Sequence, residues 1–228
     1  ITGDGSDSWI ELVDEPDFMN LPVEEMKNRI KEAGICGMGG AGFPTIVKLS
    51  PPEDKPIDTV ILNGVECEPY LTADHRLMLE QAGGIINGLK IIMKILKAHN
   101  GMIGIESNKP DAIALMNKLL ASEKNLSVVP LKLKYPQGAE KQLIYAATNR
   151  KVPTGGLPMD VGIVVQNVGT ACAIYEAVRF NKPLVERIIT VTGSVVNNPK
   201  NLKARIGTPF SDLVNYCEGT KSEIGKVI

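Results

Sequence analysis

Apolar residues along this chain follow two spacings that alternate. Val60, Ile61 and Leu62 run consecutively within 57–63, the pattern of a strand covered on both faces. Short aliphatic runs at 102–106, 126–134 and 161–166 predict three more strands. Between them the apolar positions recur at helical spacing. Met26, Ile30 and Ala33 predict a helix opened by Asn20 and Pro22 and stopped by Gly34. Further helices are predicted over 72–81, 85–97, 110–121, 139–148 and 169–180. Thr72 caps the first of these, Gly83 and Gly84 separate it from the second, and Asn108 with Pro110 opens the third. Strands alternating with helices predict a mostly parallel α/β sheet with helices on both faces.

The texture changes near Glu186. A strand at 188–193, a turn at 195–199, an edge strand at Arg205 and Ile206, and a helix from Thr208 and Pro209 to about Cys217 predict a small, separate grasp-like domain. Residues 1–20 are polar and read as an arm or the remnant of a preceding domain. The expected division is therefore 1–20, 21–184 and 185–228. The chain opens at Ile1 and reads as a piece of a longer protein.

Composition narrows the possibilities. Of 228 residues 43% are apolar and only 4% aromatic, enough for a sizeable but aliphatic core. A formal net charge of -1 offers no basic excess for nucleic acid or anionic lipid. The longest apolar stretch, 85–96, is interrupted by Asn87, Gly88, Lys90 and Lys94, and falls short of the roughly 20 residues of a membrane span. Cys36, Cys67, Cys172 and Cys217 form no C-x-x-C pair, so no zinc or cluster site is written locally, and free buried thiols in a reducing cytosol are expected. His75 and His99 have no ligand-spaced partner, and no metal site is expected.

Four segments carry candidate chemistry. The first is Gly37-Met38-Gly39-Gly40-Ala41-Gly42, followed by Phe43, Pro44 and, one turn on, Lys48. Its letters satisfy G-x-G-x-x-G, but the loop follows a helix, where the dinucleotide fingerprint follows a strand. Phe43 stands where an ATPase-type loop has its lysine. Glycine amides, the start of a short helix and the Lys48 ammonium suit a phosphate; a flexible surface loop would show the same glycines. The second is Asn63-Gly64-Val65-Glu66-Cys67-Glu68-Pro69, at the carboxyl end of the first strand. Glu66 and Glu68 there suit sugar hydroxyls or an amide, or are two solvated acids. The third is the turn from Tyr135 through Gly138 to Glu140, where capping alone would account for the acid. The fourth is Gln166-Asn167-Val168-Gly169-Thr170, whose amides read a heterocycle or cap the next helix. All four are expected on one sheet edge, around one crevice.

The run 37–45 with Lys48, and the run from Asn63 through Asp74, His75 and Arg76, resemble the RnfC family of ion-translocating ferredoxin:NAD oxidoreductases. They are similar, more distantly, to the NADH-oxidising flavoprotein of respiratory complex I. The resemblance spans 21–228, and 186–228 resembles the soluble-ligand-binding β-grasp (SLBB) domain of this family. It implies a Rossmann-like fold holding noncovalent FMN, with NADH stacked upon it and hydride transfer performed by the cofactors rather than by a catalytic side chain. By resemblance, Gly37, Gly39, Gly40, Ala41 and Gly42 wrap the flavin and its phosphate, Lys48 pairs with the phosphate, and Asn63, Glu66 and Asn167 hold the ribityl chain and ring. Thr170 lies near the phosphate, and Tyr135 and Gly138 at the flavin face. Phe43 lies against the NADH adenine, and Glu68 and Glu140 line the nicotinamide pocket.

The same resemblance implies 4Fe-4S clusters outside this chain, ferredoxin-type carriers, the other subunits of an Rnf-type membrane complex, and a cytoplasmic location on the membrane's inner face. Met38, Val65 and Gly169 depart from the complex I pattern, which favours the Rnf branch. A docking protein with a vestigial pocket, or a flavin-free phosphotransferase, are the competing readings; the second would want a Lys-Ser/Thr pair after the glycines, and none follows.

Overall fold

The computed structural model describes residues 9–227. The expected polar arm therefore lies partly outside the described residues. Its described part carries one short 3-10 turn, Phe18–Asn20, and is held by Val13 and Glu15 amides donating to the carbonyls of Phe180 and Arg179.

The four predicted strands form one parallel sheet: β1 (Thr59–Gly64), β2 (Asn100–Glu106), β3 (Leu126–Leu131) and β4 (Ile163–Asn167), in the order β3-β2-β1-β4. The consecutive apolar run in β1 is divided between two cores. Val60 and Leu62 pack with α4 (Ala82–Leu96) and α7 (Val168–Phe180), while Ile61 packs with Leu143 and Ile144 of α6 (Glu140–Thr148) on the other face. All three are fully buried, each worth about 1.5–3 kcal/mol of transfer free energy. On the α4 side α1 (Val23–Glu32), α3 (Ala73–Glu80) and α5 (Pro110–Leu120) complete the layer.

Two expectations change here. Gly83 and Gly84 do not separate helices: α3 ends at Glu80, α4 begins at Ala82, and both glycines lie in the first turn of α4. A side chain at Gly84 would meet Cys172 Sγ at 3.1 Å, and one at Gly88 the Ala171 carbonyl oxygen at 1.9 Å. Gly84 and Gly88, four apart on one face, let α4 lie against α7 backbone to backbone. Thr72 precedes α3 as expected, but its side chain caps nothing in the helix. The Glu66 carboxylate accepts from the Asp74 and His75 amides (3.0 and 3.3 Å) in its place.

The C-terminal segment forms an antiparallel ribbon, β5 (Glu186–Val191) with β6 (Lys200–Arg205), followed by α8 (Phe210–Tyr216). The second strand thus precedes the expected edge position at Arg205 and Ile206 and is longer. The ribbon is tied to the start of α3. The Thr72 amide donates to Thr190 Oγ1 at 3.1 Å, and the Asn201 amide donates to the Thr72 carbonyl at 3.2 Å.

Candidate functional site

From β1 the chain steps outward to β2 and β3, then returns to β4 on the opposite side of β1. The strand order therefore reverses between β1 and β4, and ligands of open parallel sheets bind at the carboxyl ends of such a pair. Asn63 and Asn167 are register partners at that point. A cavity of about 600 Å³ opens there, inside the roughly 300–1,000 Å³ range of cofactor sites.

Gly37, Gly39, Gly40, Ala41, Gly42 and Phe43 line this cavity together with Lys48, Asn63, Gly138, Glu140 and Asn167. The glycine loop is closed at its base. Cys36 bridges Pro44, the Gly37 amide donates to the Phe43 carbonyl (2.8 Å), and the Thr45 amide donates to the Ile35 carbonyl (3.1 Å). Gly42 has φ +68°, which favours glycine. Gly39 runs so close to Asn167 that a side chain would meet its Cβ at 3.0 Å.

The Met38 peptide groups are held on both sides. The Met38 amide donates to Thr170 Oγ1 at 3.0 Å, and its carbonyl accepts from Arg187 Nη2 at 2.9 Å. Among the described residues the next four amides, Gly39 to Gly42, donate to no protein acceptor. Successive free amides in a tight loop form a concave anion receptor. The helix after the loop contributes little to it: α2 (Thr45–Lys48) is four residues long, too short to build the expected dipole.

Lys48 Nζ lies 2.7 Å from Glu140 Oε1 and 3.1 Å from the Val165 carbonyl. The cation expected on phosphate and the acid expected at the nicotinamide thus pair with each other, about one third exposed. The Asn63 amide donates to the Gly138 carbonyl (2.9 Å), and its oxygen accepts from the Val65 amide (3.0 Å), tying the 138 turn to β1. Asn167 caps α7, accepting from the Gly169 and Thr170 amides at 2.8 and 3.3 Å, while its Nδ2 donates to Asp74 Oδ2 at 2.7 Å.

Four expected residues are not brought to the cavity wall. Glu66 is occupied at the start of α3. Thr170 is fully buried beneath the loop it holds. Glu68 is exposed, and Tyr135 stands 75% exposed on the surface. Gln166, singled out only as part of a strand end, lines the cavity almost fully buried, and its Nε2 has no partner among the described residues. Its signal is an amide closing a strand of otherwise buried aliphatics. Cys36, Cys67, Cys172 and Cys217 are free thiols, but only Cys172 and Cys217 are buried as expected; Cys36 and Cys67, on the loops, are half-buried.

Behind the cavity lies Asp74, whose pKa is pushed up to about 6, foremost by burial and next by the Glu66 carboxylate. The Asn167 hydrogen bond and the charges of Arg187 and Lys109 oppose this. A raised carboxyl pKa means that the native state prefers the neutral acid. The associated stability is fully present below the ordinary value of 3.8 and is lost as the pH rises through about 6. Asp74→Asn, which keeps an acceptor for Asn167, should therefore be more stable than the parent at pH 8, by about 3 kcal/mol, and close to it below pH 4. Thermal melts across that range measure the difference, and a gap that does not grow with pH would refute the assignment.

Comparison with known proteins gives two domain matches. The Nuo51 FMN-binding domain matches residues 30–176, and the SLBB domain residues 188–223. The chain is 52% identical over its whole length to the C subunit of the proton-translocating ferredoxin:NAD(+) oxidoreductase complex of Clostridium ljungdahlii, covering 50% of that protein. It is 50% identical to the C subunit of the Na(+)-translocating complex of Acetobacterium woodii, over 92% of this chain and 47% of that one. It is 45% identical to the C subunit of the ion-translocating oxidoreductase complex of Citrobacter koseri, over 94% and 30%. The chain thus spans half or less of the curated relatives it matches. Among solved structures, an NAD+-reducing NiFe hydrogenase in its air-oxidized state superposes with a TM-score of 0.71 at 21% identity, covering 86% of this chain and 39% of that one. That likeness is one of fold.

Proposed function

Because this chain belongs to the Nuo51 FMN-binding family, with an SLBB domain behind it and RnfC-type relatives at 45–52% identity, we propose that it is the module of an Rnf-type complex that holds FMN and receives NADH. The observation that carries this reading is the cavity at the β1/β4 switch point, with four acceptor-free amides and a lysine on its wall.

The residues present fit FMN. The Gly39 to Gly42 amides would take the phosphate, and Lys48 would turn from Glu140 to join them. The unpartnered Gln166 amide and the aliphatic Val164 and Val165 offer one polar contact and an apolar bed for a heterocycle. Asn63 and Asn167 would act through the turns they tie down, and Gly138 permits close approach, since a side chain there would meet the Val65 carbonyl oxygen at 2.9 Å. Phe43, about half exposed at the mouth, offers a face for adenine, and Glu140, freed from Lys48, an acceptor for the nicotinamide nucleotide. Glu66 and Thr170 would support the site from behind; Glu68 and Tyr135 would reach it only from the rim. When bound, FMN supplies hydride exchange with NADH and single-electron release.

In this reading 21–184 is the flavin domain and 185–228 the β-grasp domain. Iron–sulfur clusters and ferredoxin-type carriers that take the electrons lie beyond this chain, and the module sits peripherally on the cytoplasmic face of the membrane. Among the described residues no helix is long and apolar enough to cross a membrane. The test is titration with FMN. Quenched flavin fluorescence followed by bleaching with NADH is the expected result; binding without bleaching would make it a docking protein, and no binding would end the flavin reading.

A further inference from the structure

We infer that Arg187, on the β-grasp ribbon, is a positioning residue of the flavin site: it sets the Met38–Gly39 peptide so that the Gly39 amide faces the phosphate. This rests on the flavin reading above and adds to it a part played by the second domain.

The argument begins with one rigid plane. A trans peptide points its carbonyl and its N–H in opposite directions. Arg187 Nη2 donates to the Met38 carbonyl at 2.9 Å, so the Gly39 N–H of the same plane points away from the ribbon. The two sides of that plane face different spaces. Met38 and Arg187 line a smaller cavity of about 160 Å³ between the ribbon, α3 and α7, whereas Gly39 lines the large one. The peptide is thus a partition, with its carbonyl held on the ribbon side and its N–H free on the other.

The preceding peptide is fixed independently, because the Met38 amide donates to Thr170. Among the described residues no other hydrogen bond fixes the next one. Gly39 and Gly40 follow it, and glycines impose little barrier to a peptide flip. A flip would put the Met38 carbonyl oxygen into the anion receptor, where it repels phosphate. Arg187 is itself held from two sides. The buried Asp74 carboxylate attracts it, and the ribbon it stands on is tied to Thr72 through Thr190 and Asn201.

The experiment compares FMN with riboflavin, which lacks the phosphate, by quenching of flavin fluorescence. Arg187→Met keeps an aliphatic stem and removes the donors. It should weaken FMN about tenfold while leaving riboflavin unchanged, and Arg187→Lys, which can still donate to Met38, should recover most of the loss. Thr190→Val removes one tie of the ribbon that carries Arg187 and should shift the FMN-to-riboflavin ratio in the same direction as Arg187→Met, but less. Equal losses of both ligands, or no loss, in Arg187→Met would overturn the inference. A measurement on the parent protein stands apart from any folding defect: the Gly39 amide resonance should move strongly downfield with FMN and little with riboflavin, and an amide indifferent to FMN overturns the proposal. If the parent takes up no FMN, the flavin reading itself fails; if it binds FMN and Arg187→Met binds it equally, only the role of Arg187 fails.

Discussion

Gly40→Val should purify folded and colourless, with its affinity for FMN lowered at least about 100-fold, or about 2.7 kcal/mol. A side chain at Gly40 would meet no protein atom within 4 Å, and its backbone is not in the left-handed region. The fold therefore tolerates the change. The space a valine would fill is the cavity itself, directly beside the amides of Gly39, Ala41 and Gly42. Two methyl groups there exclude the phosphate and cover the donors that would bind it. Circular dichroism and melting should match the parent, while flavin absorbance in the purified protein should be missing. The position is informative because its neighbour is not: a side chain at Gly39 would strike Asn167 and confuse loss of cofactor with damage to the start of α7. A yellow Gly40→Val protein would move the flavin elsewhere.

The parts legible in the sequence are those that a local pattern controls. β1 and β4 are legible because they are buried on both faces, which leaves an uninterrupted aliphatic run such as Val60-Ile61-Leu62; β3, with Ser127 and Pro130 exposed, shows only its Val128-Val129 pair between Leu126 and Leu131. Their parallel pairing follows from the intervening helices, and with it the gathering of the three strand-end motifs on one edge, near Asn63 and Asn167; the glycine loop, which follows a helix, joins them through the Met38 amide on Thr170. What the pattern does not hold is the identity of the packing partner. Gly83 and Gly84 look like a break because glycine weakens an isolated helix, yet α4 runs through both, and at Gly84 the neighbouring α7 leaves little room for a side chain. Thr72 looks like a cap because of its local preference, yet the Glu66 carboxylate arrives from the β1 loop to take the free amides. Lys48 and Glu140 read as separate ligands because 92 residues divide them, and only the fold shows them paired. Arg187 leaves no trace at all: its contact with Met38 spans 149 residues and ends on a backbone oxygen.

Gly88→Ala should destabilise the protein by about 3–4 kcal/mol, although alanine is the better helix former by up to about 1 kcal/mol. An added Cβ would lie 1.9 Å from the Ala171 oxygen, 2.5 Å from its carbonyl carbon and 3.1 Å from its Cα. All three are backbone atoms inside α7, so no side-chain rotation relieves the overlap, and the helices must part. They part in the middle of the main core, where Ile85, Leu89 and Ile92 of α4 meet Ala171, Ile174 and Val178 of α7. For a chain of this length the loss corresponds to roughly 6–16 °C in melting temperature. The displacement also reaches the site, because α7 begins with the Asn167 cap and carries the Thr170 hydroxyl that holds Met38. Molecules that still fold should therefore bind FMN more weakly. Gly83→Ala is the matched control: it lies in the same helix, and its added methyl would meet nothing within 4 Å. It should be as stable as the parent or slightly more so. Two glycines five residues apart in one helix then respond with opposite sign, an outcome that helix propensity alone forbids; equal responses would mean that α4 and α7 do not approach closely at Gly88.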